Sequence, residues 1–73
     1  MKELDVRPIL EAGGEPFNDI MEFVDALEPG ESFRIWATFK PEPLFAIMAS
    51  KGYRGEAQET EDGSWAVDFA PED

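Results

Sequence analysis

Residues 53–69, YRGEAQETEDGSWAVDF, decide the fold, because they read as two strands joined by a tight turn. A two-residue loop would place the apolar side chains of the second strand beside the polar side chains of the first, since a one-residue slip reverses every side chain. A three-residue loop, Glu61-Asp62-Gly63, pairs Ala57 with Val67 and puts Gly63 where a left-handed residue is needed. We therefore predict a hairpin with the three-residue loop.

Upstream of the hairpin, the apolar periodicity predicts two strands and two helices. Phe17, Ile20, Met21, Val24 and Leu27 follow helical spacing, and the residues from Ser32 to Thr38 alternate as in a strand. In chain order the predicted elements are a strand at Leu4–Arg7 limited by Pro8, a loop at 11–15, a helix from Pro16 stopped by Pro29-Gly30, a strand at Ser32–Thr38, a helix opened by Pro41 and Pro43 and closed by Gly52, and the hairpin strands Tyr53–Thr60 and Ser64–Phe69.

The order of these elements, β-α-β-α-β-β, predicts an α+β fold. Right-handed crossovers place both helices on one face of the sheet. We expect a two-layer α/β sandwich in which two helices cover one face of a four-stranded mixed sheet, with the first three strands pointing the same way. A single domain is expected over residues 1–73, with its core at about 4–69 and a frayed tail at 70–73.

The composition excludes several classes of function. The 73 residues include no cysteine and no histidine, so thiol chemistry, histidine triads and zinc sites are excluded. Six basic and seventeen acidic residues give a net charge of −11, which argues against nucleic-acid binding. No apolar run is long enough for a membrane span and no signal peptide opens the chain, so we expect a cytoplasmic location. The acidity indicates solubility, a high-salt host or an acidic docking face.

The uncovered sheet face is the first candidate surface. All three arginines, Arg7, Arg34 and Arg54, share the parity of that face with Trp36, whereas the helix exterior is acidic. One interpretation is cross-strand ion pairing, for example of Arg34 with Asp68, with arginine stems shielding the indole. The other is a partner-binding or self-association surface, since tryptophan and arginine are enriched at interface hot spots.

The two loops before the helices are the second candidate surface, because ligands of open α/β sheets bind at the carboxyl ends of strands. Here the candidate residues are Glu15 and Pro16 in one loop and Lys40, Pro41 and Pro43 in the other. Alternatively, the prolines only set the helix starts and stiffen the loops. The acidic clusters elsewhere do not match a calcium loop, and we interpret them as solvated faces. No cofactor is expected.

An ordered series of short motifs runs from Leu4 to Phe69. They are Leu4-Asp5-Val6-Arg7, Glu15-Pro16-Phe17, Leu27-Glu28-Pro29-Gly30-Glu31, Phe39-Lys40-Pro41-Glu42-Pro43-Leu44, Gly52-Tyr53 and Gly63-Ser64-Trp65-Ala66-Val67. On these motifs the chain resembles an uncharacterised family of small TusA/SirA-like domains. The resemblance implies the same two-layer β-α-β-α-β-β fold.

TusA-like sulfur carriers hold a Cys-Pro-x-Pro motif at the start of the first helix, where the cysteine carries a persulfide. The matching stretch here is Gly13-Gly14-Glu15-Pro16, which retains only the second proline. Without a cysteine the chain cannot carry a persulfide, so the resemblance implies the fold without the sulfur chemistry.

We therefore expect a non-catalytic TusA-like protein-interaction module, and not an enzyme. The alternative is an accessory or ligand-binding domain in sulfur or redox metabolism. A closed pocket between Gly13–Pro16 and Phe39–Pro43 would favour the ligand, and a flat patch at Trp36 would favour the protein partner. We expect a monomer or a weak homodimer formed through the open sheet face. The candidate binding residues are Arg7, Glu15, Pro16, Arg34, Trp36, Lys40, Pro41 and Pro43.

Overall fold

In a computed structural model, which describes residues 1–72, the chain forms the predicted two-layer α+β sandwich. Apolar residues that alternate along the strands face the helices that cover the sheet. No helix in this part of the chain has the length and apolarity needed to cross a bilayer. The elements are β1 (Lys2–Asp5), α1 (Arg7–Glu11), α2 (Phe17–Asp25), β2 (Phe33–Ala37), α3 (Glu42–Ser50), β3 (Tyr53–Glu59) and β4 (Trp65–Pro71).

The four strands form one mixed sheet in the order β1-β2-β4-β3. β1 and β2 are parallel, and β4 is antiparallel to both of its neighbours, β2 and β3. The first three strands therefore point the same way, as predicted. β4, the last strand in sequence, separates β2 from β3.

The predicted hairpin register is confirmed. Ala57 lies opposite Val67, and the N–H of Thr60 donates to the carbonyl of Ser64 at 2.8 Å across the three-residue loop. Gly63 has φ +84°, a left-handed conformation that L side chains rarely adopt. The loop length thus keeps the apolar side chains of β4 on the core face.

The core lies between the sheet and the helices α2 and α3. Phe33, Ile35, Met48 and Val67 have no exposed surface, and Phe33 stacks on Phe69 with 5.2 Å between ring centroids. Each fully buried side chain of this kind contributes about 1.5–3 kcal/mol. The two helices supply Ile20, Val24, Leu44 and Met48 to the same cluster, which confirms that both cover one face.

A short additional helix, α1, was not predicted, and the placement of Arg7 in the first strand is wrong. β1 ends at Asp5, and Arg7 is the first residue of α1, with Pro8 in the first turn. Proline is tolerated there because the amide it lacks has no helical partner. The N–H of Leu10 donates to the carbonyl of Val6 at 3.0 Å, which closes the turn. Pro8 thus starts a helix as well as ending the strand.

Two predicted boundaries also differ from the structure. α2 ends at Asp25, two residues before Leu27, the last residue of the predicted apolar stripe. The expected tail is shorter than 70–73, because residues 70 and 71 continue β4 and the N–H of Glu72 donates to the carbonyl of Gly52 at 2.8 Å. Asp73 lies outside the described residues.

Candidate functional site

The two loops before the helices meet in an apolar groove of about 360 Å³, which we call the helix-start groove. It lies where the first turn of α2 faces the β2–α3 loop and the start of α3. Of the described residues that line it, only Glu15 is charged. The lining consists of Glu15, Pro16, Phe17 and Ile20 from the first side and Phe39, Pro41, Pro43, Leu44 and Ile47 from the second.

Three prolines fix the backbone on both sides of the groove. Pro16 caps α2 with φ −84°, Pro41 caps α3 with φ −83°, and Pro43 occupies the first turn of α3. Because the ring of proline restricts φ, the backbone at these three positions has few other conformations available. Both sides of the groove therefore begin from a restricted backbone.

Two half-exposed aromatic rings make the groove open to solvent. Phe17 is 49% exposed and Phe39 is 50% exposed, and the third large exposed apolar side chain of residues 1–72, Met1, is outside the groove lining. A closed pocket would have buried both rings. The structure thus has an open apolar groove between the two loops, and not the closed pocket that would have favoured a small ligand.

The second candidate surface is the open-face patch, formed by Trp36, Arg7 and Arg34. The guanidinium carbons of Arg7 and Arg34 lie 5.1 and 5.5 Å from the Trp36 ring centroid, within cation–π range. The indole N–H donates to Oε1 of Glu3 at 2.7 Å. The shielding of Trp36 by arginines, one of the two interpretations of this face, is confirmed.

Carboxylates on the same face hold both arginines in place. Arg34 donates to the two oxygens of Asp68 at 2.5 and 3.0 Å, which confirms the predicted pair. Arg7 donates to the two oxygens of Asp5 at 2.9 and 2.7 Å and to the Ser64 hydroxyl at 3.1 Å. A partner that used these guanidinium groups would have to displace their carboxylates.

These ion pairs change the acidity of the carboxyl groups. Hydrogen bonds from Arg34 lower the pKa of Asp68 against an opposing effect of burial, and those from Arg7 lower the pKa of Asp5. Hydrogen bonds from Thr60 and from the Ser64 N–H lower the pKa of Asp62. All three groups are held as carboxylates and not as acids.

Seven of the eight predicted site residues therefore lie on two separate surfaces. Glu15, Pro16, Pro41 and Pro43 line the helix-start groove, and Arg7, Arg34 and Trp36 form the open-face patch. Lys40 belongs to neither, since its Nζ lies 5.9 Å from the ring centroid of Phe45.

The candidate binding residues predicted from the sequence did not include Phe17 or Phe39, although Phe39 was named as a boundary of a possible pocket. Phe17 fits the helical stripe of α2, and Phe39 continues the alternation of Phe33, Ile35 and Ala37. In the structure, Phe17 is the first residue of α2 and Phe39 lies two residues after the end of β2, and both are half exposed. Their position at element ends beside prolines was the available signal.

Neither acidic cluster forms a metal site. Within residues 1–72, no group of three or more acidic side chains is close enough to hold a metal ion. The acidic residues of both clusters are exposed, which confirms that they are solvated. They are Asp19, Glu22 and Asp25 on α2, and Glu56, Glu59, Glu61 and Asp62 on the hairpin.

A protein-family model described as an uncharacterized conserved protein matches residues 3–71, from β1 to the end of β4. The chain belongs to the DUF2249 family. The matched residues therefore include both candidate surfaces, the helix-start groove and the open-face patch. No curated protein and no solved structure matches the chain at a significant level.

Proposed function

We propose that this DUF2249 chain is a non-catalytic module that binds a protein partner, and that the partner inserts an apolar side chain into the helix-start groove. The supporting observation is that Phe17 and Phe39 converge there with half of each side chain exposed. Covering that half of both side chains supplies about 2 kcal/mol, taking half of a full burial for each. Exposed apolar surface of this kind is typical of interaction sites.

A macromolecular ligand fits the groove better than a small molecule does. Small-molecule pockets bury about 70–90% of the ligand surface. The exposed rings of Phe17 and Phe39 leave one side of this groove uncovered. A partner protein covers that side with its own surface around the inserted side chain.

The absence of suitable groups supports a function without catalysis. The chain has no histidine and no cysteine, and no polar or charged residue among residues 1–72 is buried. A general acid requires a carboxyl group whose pKa is raised by an apolar cleft. The pKa values of Asp5, Asp62 and Asp68 are instead lowered by hydrogen bonds.

The resemblance to TusA/SirA-like sulfur carriers supports the same location. Their cysteine lies at the start of the first helix, and the corresponding stretch here ends with Glu15-Pro16, which line the groove. We propose that the docking role is kept and the transfer of sulfur is not. We further propose that the chain is a monomer, because the polar groups of the open-face patch are already paired within the chain. We also propose a cytoplasmic location.

Selection of a phage-displayed random peptide library on the immobilised chain tests the proposal. Selected peptides are expected to share an apolar residue and to bind the Phe39→Ser variant at least tenfold more weakly, because tenfold corresponds to about 1.4 kcal/mol. Gln58→Ala, on the exposed part of β3, is the control that leaves binding unchanged. Urea unfolding verifies that each variant is folded.

Other outcomes would place the function elsewhere. Peptides that bind the Phe17→Ser and Phe39→Ser variants as tightly as they bind the wild-type chain would overturn the groove as the docking site. Loss of binding in a Trp36→Ala variant alone would move the site to the open-face patch. A small molecule that saturates the groove when no peptide binds would support the alternative of a ligand-binding domain.

A further inference from the structure

Two carboxylates beside the helix-start groove have no cationic partner within the chain. Glu15 is part of the lining, and Glu42 lies between Pro41 and Pro43, which both line it. In residues 1–72 neither carboxylate is within 4.0 Å of a lysine or arginine nitrogen. No ion pair within the described residues therefore neutralises either carboxylate.

The cations of the chain are used elsewhere. Lys2 pairs with Glu31, and the three arginines pair with Asp5, Asp68 and Glu56. Lys40 also lies between two lining residues, Phe39 and Pro41. Its ammonium group lies 5.9 Å from the ring centroid of Phe45, which does not line the groove, and makes no ion pair with Glu15 or Glu42. The remaining cation, Lys51, follows the last residue of α3, at the opposite end from the groove.

Both carboxylates lie at the start of a helix. Glu42 is in the first turn of α3, and Glu15 precedes the capping residue of α2. The positive end of each helix dipole stabilises a negative charge at these positions. The groove therefore combines exposed aromatic rings with two charged carboxylates on an acidic chain.

We propose, on the basis of the proposed function, that the partner presents an apolar residue flanked by lysine or arginine. Glu15 and Glu42 then select the partner by charge, while Phe17 and Phe39 bind its apolar residue. Complementary charges at the rim of an interface act mainly on specificity and association rate. A segment with acidic flanks is repelled by the same two carboxylates.

Three synthetic peptides with one tryptophan at the centre and lysine, serine or glutamate flanks test this inference by calorimetric titration. The lysine-flanked peptide is expected to bind the wild-type chain most tightly. Its affinity is expected to fall with added salt, because salt screens exposed charges. The ratio of the affinities for the lysine-flanked and serine-flanked peptides measures the lysine preference. In the Glu15→Gln/Glu42→Gln variant this ratio is expected to fall by about two- to tenfold, given the usual strength of exposed ion pairs.

The control variant Glu22→Gln/Asp25→Asn removes the same charge from the other end of α2, where Asp25 is about 12 Å from Phe17 along the helix axis. It is expected to keep the lysine preference. An equal loss in both double variants would overturn the inference, because net charge alone would then explain the selectivity.

The two proposals fail in different ways. Equal binding of the lysine and serine peptides, with binding still lost in Phe39→Ser, would overturn the charge selection and leave the groove as the docking site. Binding of the lysine peptide that is indifferent to Phe39→Ser would overturn the groove itself.

Discussion

At Gly55 the backbone of β3 passes directly beneath two aromatic rings. A methyl group at this position would lie 2.5 Å from Cε1 of Phe69 and 2.8 Å from Cε1 of Phe45. Carbon atoms in good contact are about 3.5–4.0 Å apart. Glycine is therefore required for packing at Gly55, whose conformation is ordinary, whereas Gly63 is required for its positive φ.

We expect Gly55→Ala to lower the free energy of unfolding by about 1–3 kcal/mol, because the added methyl group overpacks the core. Urea unfolding followed by tryptophan fluorescence measures the loss. The control Gln58→Ala, three residues along the same strand and exposed, is expected to change stability by about 0.5 kcal/mol or less. Adding Phe45→Leu to Gly55→Ala should recover part of the loss. A Gly55→Ala variant as stable as the wild type would contradict the ring placement.

The residues of the groove show where sequence reasoning reaches its limit. Glu15, Pro16, Pro41 and Pro43 were predicted because prolines before helices are visible in the sequence. Phe39 was not, because an apolar residue that continues a strand alternation has the same pattern whether it is covered or exposed. Its burial depends on where the strand ends, and in the structure β2 ends at Ala37, two residues before Phe39.

Between elements, the ion pair of Arg34 and Asp68 links the two central strands, β2 and β4. The hydrogen bonds from Arg34 lower the pKa of Asp68 in the folded protein. A lowered carboxyl pKa contributes stability above the unfolded value of about 3.9, and that contribution is lost as the pH falls through the folded value.

We expect Asp68→Asn to cost about 1 kcal/mol or less at neutral pH, since both side chains are partly exposed. The cost should vanish at a pH below the folded pKa of Asp68, where the wild-type carboxyl is protonated. Urea unfolding at a series of pH values measures the difference. Glu56→Gln is the control without a measurable effect, because its pair with Arg54 is loose at 3.9 Å and exposed. A cost of Asp68→Asn that persisted at low pH would contradict an ionic origin.

The elements were predicted to different degrees, for physical reasons. The hairpin register follows from side-chain parity, since only one loop length puts Val67 on the core face. Helix α1 was missed because five residues carry too little periodicity, and Pro8 is compatible with either a strand end or a helix start. The position of β4 between β2 and β3 was not predicted, because parity defines the face of a strand but not its neighbours.

On the scale of the whole molecule, the net charge of −11 is spread unevenly. The described ion pairs join Lys2 and the three arginines to carboxylates, and most of them lie on or beside the sheet. The exterior of α2 carries Asp19, Glu22 and Asp25, all exposed. Mutual repulsion of these carboxylates destabilises the compact state.

We therefore expect sodium chloride to stabilise the fold. Raising its concentration from about 0.01 M to about 1 M shortens the Debye length from about 30 Å to about 3 Å, which screens the repulsion. Thermal unfolding followed by circular dichroism should show a higher midpoint at high salt. The variant Asp19→Asn/Glu22→Gln/Asp25→Asn should show a smaller rise. A midpoint that falls with salt would mean that the internal ion pairs outweigh the repulsion.

The position of β4 has a consequence for how the molecule is made. β4 is translated after β1, β2 and β3, yet it is the strand that joins β3 to the rest of the sheet. Until residues 65–71 emerge, β3 has no partner and the nascent chain can pair only β1 with β2. The four-stranded sheet is thus completed only after β4 has been translated.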